Sequence, residues 1–202
     1  MLALDLGAAF LGFVFAAESP RRVDAATVAT IARDVRGHPA GRAVRLVGVF
    51  VEGTAPEIAH IVAEAGLDAV QLHRPVQPGE AGAIGVPVIP AFRMRGPELA
   101  PQIEAALQQG PVLLDAYHPD KHGGIGEPFD HALARPFLGQ GPVFIAGGLK
   151  PTTIAATARG FAGRGAQPYC YDVSSGLEAS PGVKDPRKLR AFFEALRGAL
   201  PA

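Results

Sequence analysis

Leu46-Val47-Gly48-Val49-Phe50-Val51, followed two residues later by Thr54-Ala55-Pro56-Glu57, makes up one strand-to-helix unit. The first segment is an uninterrupted apolar run, which is typical of a parallel strand buried on both faces. In the second segment the Thr54 side chain can accept a hydrogen bond from a backbone N–H, and the Glu57 side chain can accept one from the backbone N–H of Thr54. This capping box marks a helix start. The helix is expected to bury the apolar residues that follow at helical spacing, namely Ile58, Ile61, Val62 and Ala65.

The same unit recurs along the chain. Six further apolar runs predict strands, at 10–15, 69–72, 88–92, 112–114, 143–146 and 171–173. Helical patterns follow them near 24–37, 78–84, 99–110, 130–137, 152–159 and 185–196. Asp24 is the expected cap of the first of these helices, whose inward positions are Val28, Ile31, Ala32 and Val35.

Seven strands that alternate with helices predict an α/β fold with a parallel sheet. A TIM (β/α)8 barrel is the favoured architecture, and an open doubly wound sheet is the alternative. A nucleotide-binding Rossmann fold is disfavoured, because no G-x-G-x-x-G follows the first strand. A full barrel has eight units, so the count predicts that the first βα unit is largely missing.

Composition limits the class of protein. The 202 residues suit one domain, 1–202, and nineteen Lys and Arg balance nineteen Asp and Glu, which gives no electrostatic footprint for nucleic acid or a membrane. One cysteine, Cys170, excludes an internal disulfide and favours a reducing, cytoplasmic location. Residues 1–17 are apolar but lack a basic start, so a cleaved signal peptide is disfavoured.

Glycine-rich segments follow the last two predicted strands. Gly147 and Gly148 follow one strand, and Ser174, Ser175 and Gly176 follow the other. Glycine lets backbone N–H groups approach an anion, hydroxyl groups add donors, and barrels commonly bind phosphate at these two strand ends. The pair predicts a phosphate site, although each segment alone is compatible with a simple turn.

Other strand ends carry polar residues that suit catalysis or binding. Asp115 follows an apolar strand directly and is a candidate general acid or base, with a loop cap as the alternative. Arg21 can bind a carboxylate with two hydrogen bonds, although a solvated pair of arginines, Arg21 and Arg22, is the simpler interpretation from these residues alone. His73 and Arg93 end two further strands and are candidate substrate contacts, although a structural histidine is the simpler interpretation of His73. No spacing among the six histidines predicts a metal site.

Several motifs occur together in an order that resembles phosphoribosylanthranilate isomerase of tryptophan biosynthesis. They cover nearly the whole chain, and the last block is the most specific. The motifs are Leu11-Gly12-Phe13-Val14-Phe15 with Ser19-Pro20-Arg21, Gly48-Val49-Phe50-Val51, 67–73 ending in Gln71-Leu72-His73, Leu113-Leu114-Asp115, Gly123-Gly124-x-Gly126 with Phe129-Asp130, Ala146-Gly147-Gly148-Leu149, and Asp172-Val173-Ser174-Ser175-Gly176-x-Glu178 with 180–185.

The resemblance implies a TIM barrel that carries out a cofactor-free Amadori rearrangement. Its substrate is N-(5-phosphoribosyl)anthranilate, and its product is 1-(2-carboxyphenylamino)-1-deoxyribulose 5-phosphate. Asp115 matches the general acid, Arg21 matches the arginine that holds the anthranilate carboxylate, and the two glycine-rich loops match the phosphate cradle. The implied state is a monomer or homodimer with no nucleic acid, membrane, metal or cofactor partner.

The sequence departs from the family pattern in three places. The family's base is a cysteine in a Lys-(Ile/Val)-Cys-Gly motif at the first strand, which this sequence lacks, and residues 1–7 resemble the end of the helix that follows that strand. Cys170 precedes the end of its strand and is interpreted as structural. Arg74 replaces a glycine, and Glu127 replaces a lysine in the loop at 123–126, a candidate mobile loop.

These departures leave alternatives to the isomerase. With roughly 20–25 residues expected to be absent, little or no turnover is expected, and an inert paralogue that keeps phosphate binding or serves as an interaction partner is the main alternative. The related histidine-pathway isomerase is disfavoured by the Ser-Pro-Arg and Asp-Val-Ser-Ser-Gly blocks.

Overall fold

A computed structural model describes residues 1–94, 96–116, 131–162 and 168–200. The chain divides into two compact units, Met1–Pro90 and Ala91–Ala202. No helix in these described ranges is long and apolar enough to cross a membrane.

The described strands occur where the apolar runs predict them. They are β1 (Phe10–Val14), β2 (Arg45–Phe50), β3 (Ala69–Leu72), β4 (Val88–Met94), β5 (Val112–Ala116), β6 (Val143–Ala146) and β7 (Cys170–Tyr171), followed by the short pair β8 (Glu178–Ser180) and β9 (Val183–Lys184). The described helices are α1 (Leu2–Asp5), α2 (Ala25–Gly37), α3 (Ala55–Ala65), α4 (Glu80–Ile84), α5 (Ala100–Leu107), α6 (His131–Ala134), α7 (Ile154–Ala162) and α8 (Pro186–Arg197).

Among the described residues, seven strands form one sheet in the order β1-β2-β3-β4-β5-β6-β7, and each pair is parallel. β4 belongs to both units, since its first residues pair with β3 and its last residues pair with β5. The antiparallel pair β8 and β9 forms a separate small sheet. The predicted α/β class, parallel pairing and strand count are therefore confirmed.

In the first unit, alternate strand residues pack against the helices. Val70 and Leu72 of β3 are fully buried in one cluster with Val28 of α2 and Ile58 of α3. Because side chains alternate along a strand, Gln71 lies on the other face of the sheet. Packing on one face thus determines which polar side chains point the other way.

The second unit follows the same rule. Val112 and Leu114 of β5 are buried in a cluster with Ile103 of α5 and Phe161 of α7. Asp115 is the next residue after Leu114, so it projects from the opposite face. A third cluster joins Phe192 of α8 to the residues that border the glycine-rich loops, including Leu149 and Leu177.

Two of the local predictions need correction. Ile31 was expected on the buried face of α2, but it is 36% exposed while Val28, Ala32 and Val35 are buried. The stripe at i, i+4 and i+7 already covers the face that meets the sheet, so Ile31 lies beyond its edge. The last strand was expected at 171–173, but β7 is Cys170–Tyr171, and Asp172 and Val173 lie in the segment after it.

The starts of α2, α3 and α8 were predicted at Asp24, Thr54 and Asp185, and the structure confirms all three. Asp24 accepts from the Thr27 backbone N–H at 2.7 Å, and Asp185 accepts from the Arg187 backbone N–H at 2.8 Å. At α3, the backbone N–H and hydroxyl of Thr54 donate to the Glu57 carboxylate at 2.7 and 2.8 Å. These bonds hold the pKa of Glu57 below its ordinary value.

The Thr54→Ala variant tests the cap of α3. Removing the hydroxyl is expected to lower the free energy of unfolding by about 1 kcal/mol, measured by urea denaturation. Thr30→Ala is the control, because Thr30 lies inside α2 and caps no helix end. Its hydroxyl makes only exposed bonds within the helix, to the Ala26 carbonyl and from the Arg33 guanidinium, and alanine favours the helix. Equal stability of Thr54→Ala and the wild-type protein would contradict the assignment.

Candidate functional site

Two carboxyl groups lie at the ends of neighbouring strands in the second unit. Asp115 pairs in register with Ala146 of β6, and Ile145 pairs with Tyr171, the residue before Asp172. The Asp172 backbone N–H donates to the Ile145 carbonyl at 2.8 Å, which extends the pairing by one residue. The two aspartates therefore occupy one row of the sheet, separated by the small side chain of Ala146.

This arrangement perturbs the ionisation of Asp172. Burial and, to a smaller extent, the negative charge of Asp115 raise its pKa, the positive charge of Lys184 lowers it, and the net pKa is about 6. Two carboxyl groups that repel each other retain a proton to a higher pH than either group would alone. The row at the ends of β5 and β7 therefore keeps a proton available close to neutral pH.

Arg93 extends the same row on its other side. It pairs in register with Asp115, and its side chain is exposed. Because register partners in parallel strands point to the same face, a guanidinium and a carboxyl group are presented together. Arg93 and Asp115, both predicted as site residues, are therefore neighbours across β4 and β5.

The two glycine-rich loops also come together in the second unit. Gly147 and Gly148 have φ values of 95° and 64°, which L-residues with side chains rarely adopt. A Cβ atom on Gly176 would lie 1.9 Å from the carbonyl oxygen of Leu149. The segment at 174–176 can therefore pack against the segment after β6 only if residue 176 is glycine.

Lys184 anchors the serine-containing loop. Its ammonium donates to the Ser174 carbonyl at 2.9 Å, to the Ser174 hydroxyl at 3.2 Å and to the Glu178 carboxylate at 3.0 Å. Glu178 is buried and is the register partner of Lys184 across β8 and β9. The lysine side chain remains 41% exposed, so it also places a positive charge beside Ser174.

Arg21 lies in the first unit, in the loop that follows β1. Its backbone N–H donates to the Ser19 hydroxyl at 3.2 Å, and its side chain is half-buried. The next residues return to β1, since the Val23 N–H donates to the Val14 carbonyl at 2.9 Å. The Ser-Pro-Arg segment is thus fixed against the end of β1.

His73 follows β3 and is bonded to a side chain of the same strand. The Gln71 Nε2 atom lies 2.6 Å from the His73 Nε2 atom, and the His73 backbone N–H donates to the Phe50 carbonyl at 2.8 Å. Gln71 is only 6% exposed. His73 is therefore held both through its backbone and through its ring.

Arg74 has a structural partner that the sequence comparison did not reveal. Its guanidinium forms a two-bond ion pair with the buried Glu80 carboxylate and also donates to the Gly53 carbonyl at 2.8 Å. The hydrogen bond from Arg74 lowers the pKa of Glu80. Arg74 thus ties the loop after β2 to the first residue of α4, which gives a structural role to the arginine at a position where the resemblance led us to expect glycine.

Cys170 is the first residue of β7, and burial raises the pKa of its thiol to about 12. The nearby charge of Asp172 acts in the same direction. A thiol that stays protonated at neutral pH is a weak base. This property agrees with the structural role assigned to Cys170.

Some sequence predictions concern other parts of the chain. The candidate mobile loop at 123–126 and the departure at Glu127 lie outside the described residues. Among residues the structure does describe, no group of three or more His, Cys, Asp or Glu side chains is placed to hold a metal ion.

Three residues whose contacts lie at the candidate site were not singled out from sequence. Asp172 directly follows β7, so the rule of taking polar residues at strand ends, which identified Asp115, could have found it. Gln71 lies two residues before His73, and strand alternation could have placed both side chains on one face. Lys184 contacts Ser174, which lies ten residues earlier in the chain, because the β8–β9 hairpin folds back. Hydrophobic periodicity gives no signal for such a contact.

Known proteins are similar to this chain along nearly its whole length. A family model described as "N-(5'phosphoribosyl)anthranilate (PRA) isomerase" matches residues 1–195. A curated isomerase of that name from Citrifermentans bemidjiense is 41% identical over 203 residues, covering 99% of this chain and 92% of the relative.

Solved structures of the same kind are similar in fold. Phosphoribosyl anthranilate isomerase from Thermus thermophilus matches with a TM-score of 0.80 and 36% identity, covering 98% of this chain and 92% of that chain. A phosphoribosyl anthranilate isomerase in complex with reduced 1-(o-carboxyphenylamino)-1-deoxyribulose 5-phosphate matches with a TM-score of 0.80 and 26% identity, covering 98% and 91%.

These comparisons do not support the expectation that the first βα unit is largely missing. The chain spans 92% of the Citrifermentans relative and of the Thermus structure. The expectation came from counting apolar runs against an ideal eight-unit repeat and from the missing Lys-(Ile/Val)-Cys-Gly motif. Neither observation measures how much of a relative's length the chain covers.

The Asp172→Asn variant tests the row of carboxyl groups. The native pKa of Asp172, about 6, lies above its ordinary value of 3.8, so the native state holds more protons than the unfolded state between these values, and stability falls as pH rises through that window. The variant removes this loss. It is expected to be more stable than the wild-type protein by up to about 3 kcal/mol at pH 8, with little difference near pH 4.

Urea denaturation at the two pH values measures this effect. Asp34→Asn, an exposed change on α2, is the matched control and should show almost no pH-dependent gain. A gain for Asp172→Asn that does not change between the two pH values would contradict the raised pKa.

Proposed function

This chain belongs to the N-(5'-phosphoribosyl)anthranilate isomerase family, and we propose that it converts N-(5-phosphoribosyl)anthranilate into 1-(2-carboxyphenylamino)-1-deoxyribulose 5-phosphate in tryptophan biosynthesis. The family match over residues 1–195 carries this proposal. The parallel order of the sheet and the similarity to solved isomerases support assigning the strands to a (β/α)8 barrel. The inert paralogue considered above is not favoured by relatives that are isomerases over nearly the full length.

Asp115 is the proposed general acid. Its carboxyl group gives a proton to the ring oxygen of the sugar while the bond between C1′ and that oxygen breaks. The anthranilate nitrogen supplies the electron pair that forms the C=N bond of the resulting Schiff base. Asp172 supports this step, because repulsion between the two carboxyl groups favours keeping a proton in the pair at the pH of the reaction.

The second step removes the proton from C2′, and the electron pair of that C–H bond forms a C1′=C2′ bond while the C=N pair returns to nitrogen, which gives an enolamine. A proton then adds at C1′ as the C2′ hydroxyl loses its proton, which gives the product ketone. Of the two protons released, one balances the proton added at C1′ and the other restores the acid form of Asp115. The substrate thus ends with the same atoms that it had at the start, as an isomerisation requires. Cys170 is not assigned to this step, because its thiol stays protonated near neutral pH.

The phosphate of the substrate is assigned to the two glycine-rich loops. Gly147, Gly148 and Gly176 allow the backbone to approach an anion, while Ser174 and Ser175 are exposed and supply hydroxyl donors. Lys184 adds a positive charge beside Ser174. The combination of backbone amides, hydroxyls and one cation suits a phosphate monoester.

The anthranilate end is assigned to positively charged or hydrogen-bonding side chains at other strand ends. Arg21 is the proposed partner of the carboxylate, because its planar guanidinium can form two parallel hydrogen bonds. His73 and Arg93 are proposed substrate contacts. No cofactor or metal has a part in the proposed reaction.

The Asp115→Asn variant tests the proposed acid. Asparagine has a similar shape but no acidic proton, so kcat is expected to fall about 10²- to 10⁴-fold, with the fold preserved. The assay follows loss of anthranilate fluorescence as the substrate is consumed. Asp34→Asn on the surface of α2 should retain full activity, and an unchanged kcat for Asp115→Asn would remove Asp115 from the mechanism.

The paired variants Arg21→Ala and Arg22→Ala test the carboxylate contact. Arg21→Ala is expected to raise KM for the substrate by about 10-fold or more, because a hydrogen-bonded charge pair is lost. Arg22 is its exposed neighbour and serves as a control of the same charge. Equal KM values for the two variants would contradict the role of Arg21.

A further inference from the structure

The hydrogen bonds between Lys184 and Ser174 have a direction that is set by the chemistry of the two side chains. The Lys184 ammonium lies 2.9 Å from the Ser174 carbonyl oxygen and 3.2 Å from the Ser174 hydroxyl oxygen. An ammonium group has three N–H donors and no acceptor, so the serine oxygen must accept this bond. The hydroxyl hydrogen of Ser174 is therefore directed away from Lys184 and can be donated to another group.

Glu178 uses the third donor of Lys184. Its buried carboxylate accepts from the ammonium at 3.0 Å. Within the part of the chain that the structure describes, the contacts of Lys184 thus equal its three N–H donors in number. A phosphate oxygen would have to displace one of these acceptors before it could accept a hydrogen bond from Lys184.

The hairpin holds the ammonium in place. Glu178 and Lys184 are register partners across β8 and β9. Lys188 of α8 donates to the Glu178 carbonyl at 2.6 Å, which ties β8 to that helix. Lys184 therefore bonds Ser174 from a supported strand pair, while Ser174 itself lies exposed at the glycine-rich loop.

We propose that Lys184 is a positioning residue for the phosphate site. It orients the Ser174 hydroxyl so that this hydroxyl donates to a phosphate oxygen, and Glu178 keeps the ammonium from turning to the phosphate itself. The positive charge of Lys184 still attracts the anion, but the hydrogen bond comes from Ser174. This inference rests on the proposed function, which assigns the substrate phosphate to the loops at 147–148 and 174–176.

A titration with inorganic phosphate tests this role without requiring turnover. The backbone amide signals of residues 174–176 in the ¹⁵N-labelled protein report binding through their NMR shifts. Ser174→Ala and Lys184→Met are each expected to weaken phosphate binding by about 10-fold, because both lose the same hydrogen bond to a charged group. For that reason the double variant should lose only about 10- to 30-fold.

Lys188→Met is the matched control. Lys188 also donates to Glu178, but to its backbone carbonyl, so this change weakens support of the hairpin and should leave phosphate binding as it is in the wild-type protein. An equal loss in Lys188→Met and Lys184→Met would show general support of the hairpin and would overturn the proposal. Losses that multiply to about 100-fold in the double variant would show a direct phosphate contact of Lys184, with the same consequence.

Lys184→Arg keeps the ion pair with Glu178 and tests the proposal even if methionine at this position prevents folding. Arginine spreads its donors over a plane and cannot direct three donors from one atom, so phosphate binding is expected to weaken by about 3-fold or more. A residue in direct contact with phosphate would give the opposite result, because arginine can bind phosphate with two hydrogen bonds. Binding as tight as in the wild-type protein, or tighter, would contradict the positioning role.

The outcomes separate this inference from the proposed function. In the substrate assay, Lys184→Met is expected to raise KM and leave kcat nearly unchanged, because the phosphate group is held equally in the ground state and the transition state. Coupled losses of phosphate binding in a protein that does not turn over the substrate would support the positioning role and contradict the proposed function. Turnover combined with independent losses would do the reverse.

Discussion

The parallel register of the strands is the constraint on which each described site depends. It sends alternate side chains to opposite faces, and packing against the helices determines which face is apolar. Leu114 is fully buried on the helix side of β5, so Asp115 projects from the other side. The same relation between Leu72 and its neighbours places Gln71 and His73 together in the first unit.

Register also determines the electrostatics of the second unit. Arg93, Asp115, Ala146 and Asp172 occupy successive strands at one level, so charge is concentrated in a row whose separations are set by strand spacing. Ala146 leaves space between the two carboxyl groups. The raised pKa of Asp172 therefore results from burial and from strand order, and Lys184 in the hairpin limits it.

Sequence reasoning located the strands and helices because the signals for them are local. Apolar runs, a cap at Asp24 and the box at Thr54 each operate within a few residues, and the structure confirms them. The exposure of Ile31 depends on how wide a face of α2 the sheet covers. The Arg74–Glu80 pair and the Lys184–Ser174 contact depend on which loops meet, and these contacts have no periodic signature. Asp172 and Gln71 could have been found from the sequence. Asp172 directly follows a strand, and Gln71 alternates with the apolar residues of one.

The central claim is that the chain is an isomerase acting on N-(5-phosphoribosyl)anthranilate. The most direct measurement supplies that substrate alone, without metal or cofactor, to the purified 202-residue protein and follows anthranilate fluorescence while mass spectrometry identifies the product. The account predicts that fluorescence falls at a rate proportional to protein concentration and that the product has the same mass as the substrate. A folded protein that leaves both the fluorescence and the substrate unchanged would contradict it.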